Sequence, residues 1–195
     1  MMTSGVRGPY AKTAAVRQGI LEAARLAFAE TGYRATTMKA VAERAQISQR
    51  GLVHHFSSKE ELLTGVLADY DQRVAKNLSG DTGAAALRRL VEATALDATE
   101  PRIIEMYAIL SAEAVATDHP AHHYYLKRYE VFRTYVRTQF EILSERGDMR
   151  SPLDPHTLSI VFTGLVDGLQ TQWLYDRSVD IRDALHRFLD TVLCD

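Results

Sequence analysis

An all-α fold is what this sequence predicts, and three observations carry the prediction. Apolar residues recur at intervals of three and four through most of the 195 residues, the spacing that gathers them on one face of a helix. Glycines and prolines fall about a helix length apart, at Gly32, Gly80, Gly83, Pro101, Pro120, Gly147, Pro152 and Pro155. No stretch keeps up the alternation of a half-buried strand, and no β-branched run sits between hairpin turn signals.

The elements follow in order. Ile20, Ala24, Ala27 and Phe28 form one helical face that stops at Thr31-Gly32. Thr37 can cap a short second helix, 37–45, whose stripe is Met38, Val41, Ala42 and Ala45. Ser48 is an N-cap for a third, 48–55, with Leu52 and Phe56 facing inward. Ser58-Lys59-Glu60-Glu61 reads as a capping box opening a fourth helix, with Leu62, Leu63, Val66, Leu67, Tyr70 and Val74 as its stripe. After Pro101 the periodic residues are Ile103, Tyr107, Leu110 and Ala114. After Pro120 they are Tyr125, Tyr129, Phe132, Val136, Phe140 and Leu143, a long amphipathic helix. Two more helices close the chain, one at about 155–175 and one bearing Ile181 to Val192.

Composition narrows the function classes. No run approaches the roughly 18 apolar residues of a membrane span, and residues 1–12 lack the apolar core of an export signal. The single cysteine, Cys194, can form neither an internal disulfide nor a multi-cysteine zinc site, so a reducing cytoplasm is expected. The net charge of −2 conceals a division: residues 1–60 carry nine Lys/Arg against four Asp/Glu, a balance of +5, and the remainder stands at −7. A basic head on an acidic body is what a chain needs if only its head meets a polyanion.

The head supplies the matching motif. Two short helices joined by a tight turn, 37–45 and 48–55, suit a helix-turn-helix, in which the second helix enters the major groove of double-stranded DNA. Gln49 and Arg50 stand in the first turn of that helix, Gly51 permits close approach, and His54 follows a turn later. Lys59 at the next helix start is placed for a phosphate.

The stretch from Ile20 to Tyr70 resembles the DNA-binding domain of the TetR family of bacterial transcriptional regulators. The resemblance is carried by Gly32 after the first helix, Thr37 before the second, and Phe56-Ser57-Ser58-Lys59-Glu60-Glu61-Leu62 at the entry to the fourth. It implies a phosphate contact at Thr37, a base or backbone contact at Lys39, and readers at Ser48, Gln49, Arg50 and Gly51. Val53 stands where many members have a phosphate-binding tyrosine, so His54 or His55 substitutes or the contact is missing; His55 also matches a frequent family histidine that can be a packing residue. The resemblance further implies a homodimeric repressor, released from its operator by a small-molecule effector.

In the body, His119, His122 and His123 cluster around Pro120. Asp118-His119-Pro120 reads as a helix start with Pro at its first position rather than as a metal site, and no metal or cofactor is expected. Glu113 sits in an apolar helix, where a carboxylate must be paired internally or face a cavity. The second reading makes it the polar anchor of a site for a largely apolar effector, lined by Tyr70, Met106, Leu110, Tyr125 and Phe132. Dimerisation is expected through Val161, Gly164, Gly168 and Gln172 on the penultimate helix and Leu185, Phe188, Leu189 and Val192 on the last, while Leu158, Phe162, Leu165, Leu169 and Trp173 dock the penultimate helix on its own subunit. The expected organisation is a flexible basic arm at 1–11, a DNA-binding domain at 12–56, and an effector-binding and dimerisation domain at 57–195. Two other classes stay open: a small helical enzyme using Glu113 or the histidines, and an architectural protein binding DNA without sequence choice.

Overall fold

The computed structural model describes residues 9–78, 80–96 and 101–194. They form α1 (Pro9–Ala35), α2 (Met38–Arg44), α3 (Gln49–His55), α4 (Lys59–Asn77), α5 (Ala84–Leu96), α6 (Pro101–Glu113), α7 (His122–Arg146), α8 (Pro155–Tyr175) and α9 (Ile181–Val192). No strand occurs among the described residues; the one extended pairing is a bridge between Met149 and Leu193 beside the end of α9. Residues 1–8 of the expected arm lie outside the described residues, and 9–11 already belong to α1.

The chain divides into two compact units, the first ending at Tyr70 and the second beginning at Asp71. The first unit thus runs past residue 56, where the sequence reading ended the DNA-binding domain. The reason is the first half of α4, whose Leu62, Leu63, Val66 and Leu67 are buried. Gly65 explains how closely α4 approaches: a Cβ there would lie 2.8 Å from Phe56 and 3.1 Å from Leu21.

Local chemistry sets the ends of these helices. Gly32 breaks α1 with a φ of 78°, a left-handed conformation that glycine adopts without a Cβ penalty. Thr37 and Ser48 cap α2 and α3 by accepting from the amides of Ala40 and Gly51, at 3.1 and 3.0 Å. At α4, Ser58 accepts from the Glu61 amide, and the Glu61 carboxylate reaches back to the amide and hydroxyl of Ser57.

In the second unit α8 packs on α7, α6 and α9, and α5 packs on α7 and α9. Leu87, Leu90 and Val91 of α5, Val136, Phe140 and Leu143 of α7, Leu158, Phe162 and Trp173 of α8, and Leu185, Leu189 and Val192 of α9 make one core. Helix α5 went unrecognised in the sequence reading, although its Leu87 and Val91 are fully buried. Its start is fixed from outside: the buried Gln139 carboxamide accepts from the amide of Gly83 at 2.9 Å. The start of α7 also differs from expectation. The helix begins at His122 after Ala121, with no side-chain cap, because Asp118-His119-Pro120 is taken up in turns in which His119 Nδ1 accepts from the Ala121 amide.

Candidate nucleic-acid interface and the polar groups of the body

The turn between α2 and α3 is built by backbone hydrogen bonds alone. Gln46 takes a φ of 56°, its amide donates to Glu43, and the Ile47 amide donates to Ala42. This is the paired 6→1 and 5→2 bonding that ends a helix when the next residue is left-handed. It turns the chain directly into Ser48 and the start of α3, and Leu52 and Phe56 then anchor α3 with no exposed surface.

With that side buried, the opposite side of α3 faces solvent. Gln49, Arg50, Val53 and His54 are exposed, His55 and Gly51 partly so, and Thr37 and Lys39 of the α2 entry are exposed as well. Gln49 and Arg50 make no hydrogen bond or ion pair among the described residues. Lys39 has only a loose pairing with Glu43 at 3.9 Å, between two well-exposed side chains, which is worth little in water. Ser48 and Gly51 serve the helix itself: the Ser48 hydroxyl holds the Gly51 amide, and a Cβ on residue 51 would meet that hydroxyl oxygen at 3.2 Å.

Lys59 departs from its expected place. Its ammonium donates to the carbonyls of Tyr33, Arg34 and Thr36 at 2.8, 3.1 and 3.0 Å, and lies 4.4 Å from the centre of the Tyr33 ring. An ammonium has three donors, so all are engaged in closing the C-terminal end of α1. The Tyr33 hydroxyl donates in turn to Glu60, and burial together with that carboxylate pushes its pKa up to about 12.

In the second unit, Met106, Leu110 and Tyr125 are buried and Phe132 packs against the core; Tyr70, the last residue of the first unit, is also buried. The Glu113 carboxylate lies 3.8 Å from His119 Nε2, an ion pair when that imidazole is protonated. His122 Nδ1 is 2.7 Å from the Ala114 carbonyl, and no group of three or more His, Cys, Asp or Glu among the described residues is arranged for a metal.

A carboxylate that the sequence reading passed over stands out instead. Asp167, the sole acidic residue of α8, accepts from the Tyr129 hydroxyl at 2.8 Å. Desolvation holds its pKa above the usual carboxylate range, against the opposing effects of the Tyr129 bond and the Arg128 charge. The same surroundings push Tyr129 up to about 12. The signal was available: Asp167 lies in an apolar helix just as Glu113 does.

The outer side of α8 carries Ile160, Val161, Gly164 and Tyr175, all exposed, with Gln172 exposed and Gly168 partly so. Helix α9 corrects the expected dimer surface. Leu185, Leu189 and Val192 are buried in the core of their own subunit, and only Phe188 of the four is partly exposed. The physical reason is the polarity of the reverse side, where Arg182, Asp183, Arg187 and Asp190 face solvent, so α9 has one apolar stripe and uses it on α5 and α8.

A capped, outward-facing second helix beside a short first one is the geometry of a helix-turn-helix. Comparison with known proteins shows what the chain is similar to. Residues 20–66 match the model of the bacterial regulatory proteins of the tetR family. The HTH-type transcriptional repressor AcnR of Corynebacterium efficiens is 25% identical over 154 residues, 78% of each chain. A tetR-family regulator from Rhodococcus sp. superposes with a TM-score of 0.77 at 25% identity, over 92% of this chain and 99% of that one. The SmeT–triclosan complex superposes with a TM-score of 0.74 at 19% identity, over 93% of each chain. Residues 20–66 are thus similar to the DNA-binding domain of tetR-family regulators, and most of the chain is similar to helix-turn-helix transcriptional regulators.

Proposed function

We propose that the protein is a repressor that binds a near-palindromic operator as a homodimer and leaves it when a small molecule binds the second unit. The observation that carries the reading is the exposed surface of α3, where Gln49 and Arg50 stand free in the first turn of a helix held from behind by Leu52 and Phe56. Gln and Arg are the side chains suited to bidentate contact with adenine and guanine edges. Thr37 and Lys39 are exposed beside that surface and supply phosphate contacts, and His54 or His55 takes the phosphate contact that Val53 cannot make.

Dimerisation uses the outer side of α8, where small residues four apart, Gly164 and Gly168, let a second copy of the helix approach. Two-fold symmetry then places two α3 helices about one DNA turn or somewhat more apart, roughly 34 Å. Effector response is supported by the fold shared with SmeT, which was solved with triclosan bound. An effector acts by preferring the conformation that fits the operator less well, so its differential affinity sets the loss of DNA binding. His119 and His122 are engaged with backbone groups, so the reading gives the histidine cluster a structural role and no catalytic one. No described helix is long and apolar enough to cross a membrane, and a reader of bacterial DNA works in the cytoplasm.

Selection of bound fragments from a random DNA pool tests the proposal. Enrichment of one inverted repeat is the expected outcome. Recovery of unrelated sequences at equal affinity would favour architectural binding instead.

A further inference from the structure

We propose that Val53 is a base reader: its side-chain methyls pack against the C5 methyl of a thymine in the major groove of each operator half-site. The inference rests on the reading of α3 as the DNA-contacting helix and adds a specificity-determining residue to it.

Four observations carry it. First, Val53 is the one apolar side chain that α3 turns to solvent, 45% exposed, while Leu52 and the capping Phe56 are fully buried. Valine is a poorer helix former than the straight-chain polar residues that suit a solvated position, so helix formation does not favour it there. Second, Val53 lies among the polar readers. At about 100° per residue it projects about 40° from Gln49 and about 60° from Arg50, one turn further along the helix. Apolar surface is thus set between two groups of groove-reaching donors. Third, its support is rigid. Ser48 holds the start of α3 through the Gly51 amide at 3.0 Å, and the Phe56 ring packs so closely on Gly65 that a Cβ there would lie 2.8 Å away. A helical valine keeps essentially one χ1 rotamer, so its methyls are in place before DNA arrives and little freedom is lost on contact. Fourth, Val53 has no donor or acceptor on its side chain, which leaves apolar contact as its means of recognition.

That contact has one complement in the major groove. Thymine presents a methyl there, whereas the edges of adenine, guanine and cytosine present hydrogen-bonding groups. Covering such a group with valine methyls strips it of water without replacing the bond. Val53 therefore selects thymine by attraction and disfavours the other bases by desolvation.

The test uses the full-length chain and the operator recovered by selection, remade with deoxyuridine in place of thymine at one symmetric pair of positions at a time. Deoxyuridine lacks the C5 methyl and keeps every hydrogen-bonding group of thymine. At one such pair the parent should bind about fourfold more weakly when one half-site is changed and roughly fifteenfold when both are, the value of one buried methyl-sized group per contact. Val53→Ala should bind the thymine and deoxyuridine duplexes nearly equally, and Val53→Thr, which keeps one methyl and the branched shape, should retain part of the difference. Arg50→Ala, weaker overall, should keep the difference in full. Thermal melts of the Val53 variants should match the parent, so that lost discrimination is not lost folding. If the parent is indifferent to every deoxyuridine, or Val53→Ala keeps the penalty, the thymine contact is overturned while the selected operator still upholds the DNA reading. A selection that returns no preferred sequence overturns both.

Discussion

Lys59 donates its ammonium to the Tyr33 carbonyl at 2.8 Å, joining the first residue of α4 to the end of α1 twenty-six residues earlier. The carbonyls at the end of a helix lack intrahelical partners and carry the negative end of its dipole. A cation that holds the carbonyls of Tyr33 and Arg34, past the Gly32 break, together with that of Thr36 is a structural pin. Lys59→Met should therefore lower the unfolding free energy by about 2 kcal/mol, the scale of hydrogen bonds to a charged group. Chemical denaturation measures this. An unchanged midpoint, with the salt dependence of DNA binding reduced by about one ion, would restore the phosphate role.

Arg50 and Lys39 should separate into reading and holding. Arg50→Ala is expected to cost about 1–3 kcal/mol on the selected operator and to relax preference at one base pair. Lys39→Ala should weaken all sequences alike and flatten the salt slope. Titration of both variants on operator and scrambled DNA at two salt concentrations distinguishes them.

Gly65 is required by packing. A Cβ at 2.8 Å from the Phe56 ring must push that ring or the α4 backbone aside, so Gly65→Ala should destabilise the protein despite alanine's better helix propensity. About 1–3 kcal/mol is the expected cost of such overpacking. Denaturant unfolding with an unchanged or raised midpoint would show that the ring yields freely.

The outer side of α8 and the stripe of α9 should respond differently to substitution. Val161→Arg, on an exposed position, should yield folded monomers in sedimentation. Leu189→Ala, at a fully buried position, should cost about 2–5 kcal/mol of stability through the lost contacts and residual cavity. A Val161→Arg protein that stays dimeric would move the interface off this side of α8.

Asp167 makes a pH-dependent contribution whose sign is set by its raised pKa. The folded state holds this proton more tightly than the unfolded chain, where a free aspartate titrates near about 3.9. Ionisation at neutral pH therefore opposes folding, and the penalty disappears as pH falls below the unfolded value. Asp167→Asn should melt at a higher temperature than the parent at pH 7, with the difference closing as pH approaches 4. Thermal melts at several pH values check this; a variant less stable than the parent at pH 7 would contradict the desolvation.

The sequence by itself determined the fold class, the four helices of the head and which of them turns a capped, polar side outward. Those features rest on neighbours within a few positions: Thr37 on Ala40, Ser48 on Gly51, Ser58 on Glu61. Capping and periodicity are local, so they are legible in order along the chain. Tertiary structure alone decided which groups lost their freedom. Lys59 is exposed to no judgement from its own helix, since its three acceptors lie 23 to 26 residues away. Glu113 and Asp167 look alike in sequence, each a carboxylate in an apolar helix, yet one faces His119 and the other only a neutral hydroxyl. Leu185 and Leu189 mark an apolar stripe that could serve a partner or the same subunit, and α5 and α8 claimed it. Periodicity states that a side must be covered; what covers it depends on the path of distant helices, because burial is non-directional and satisfied by any apolar surface that arrives.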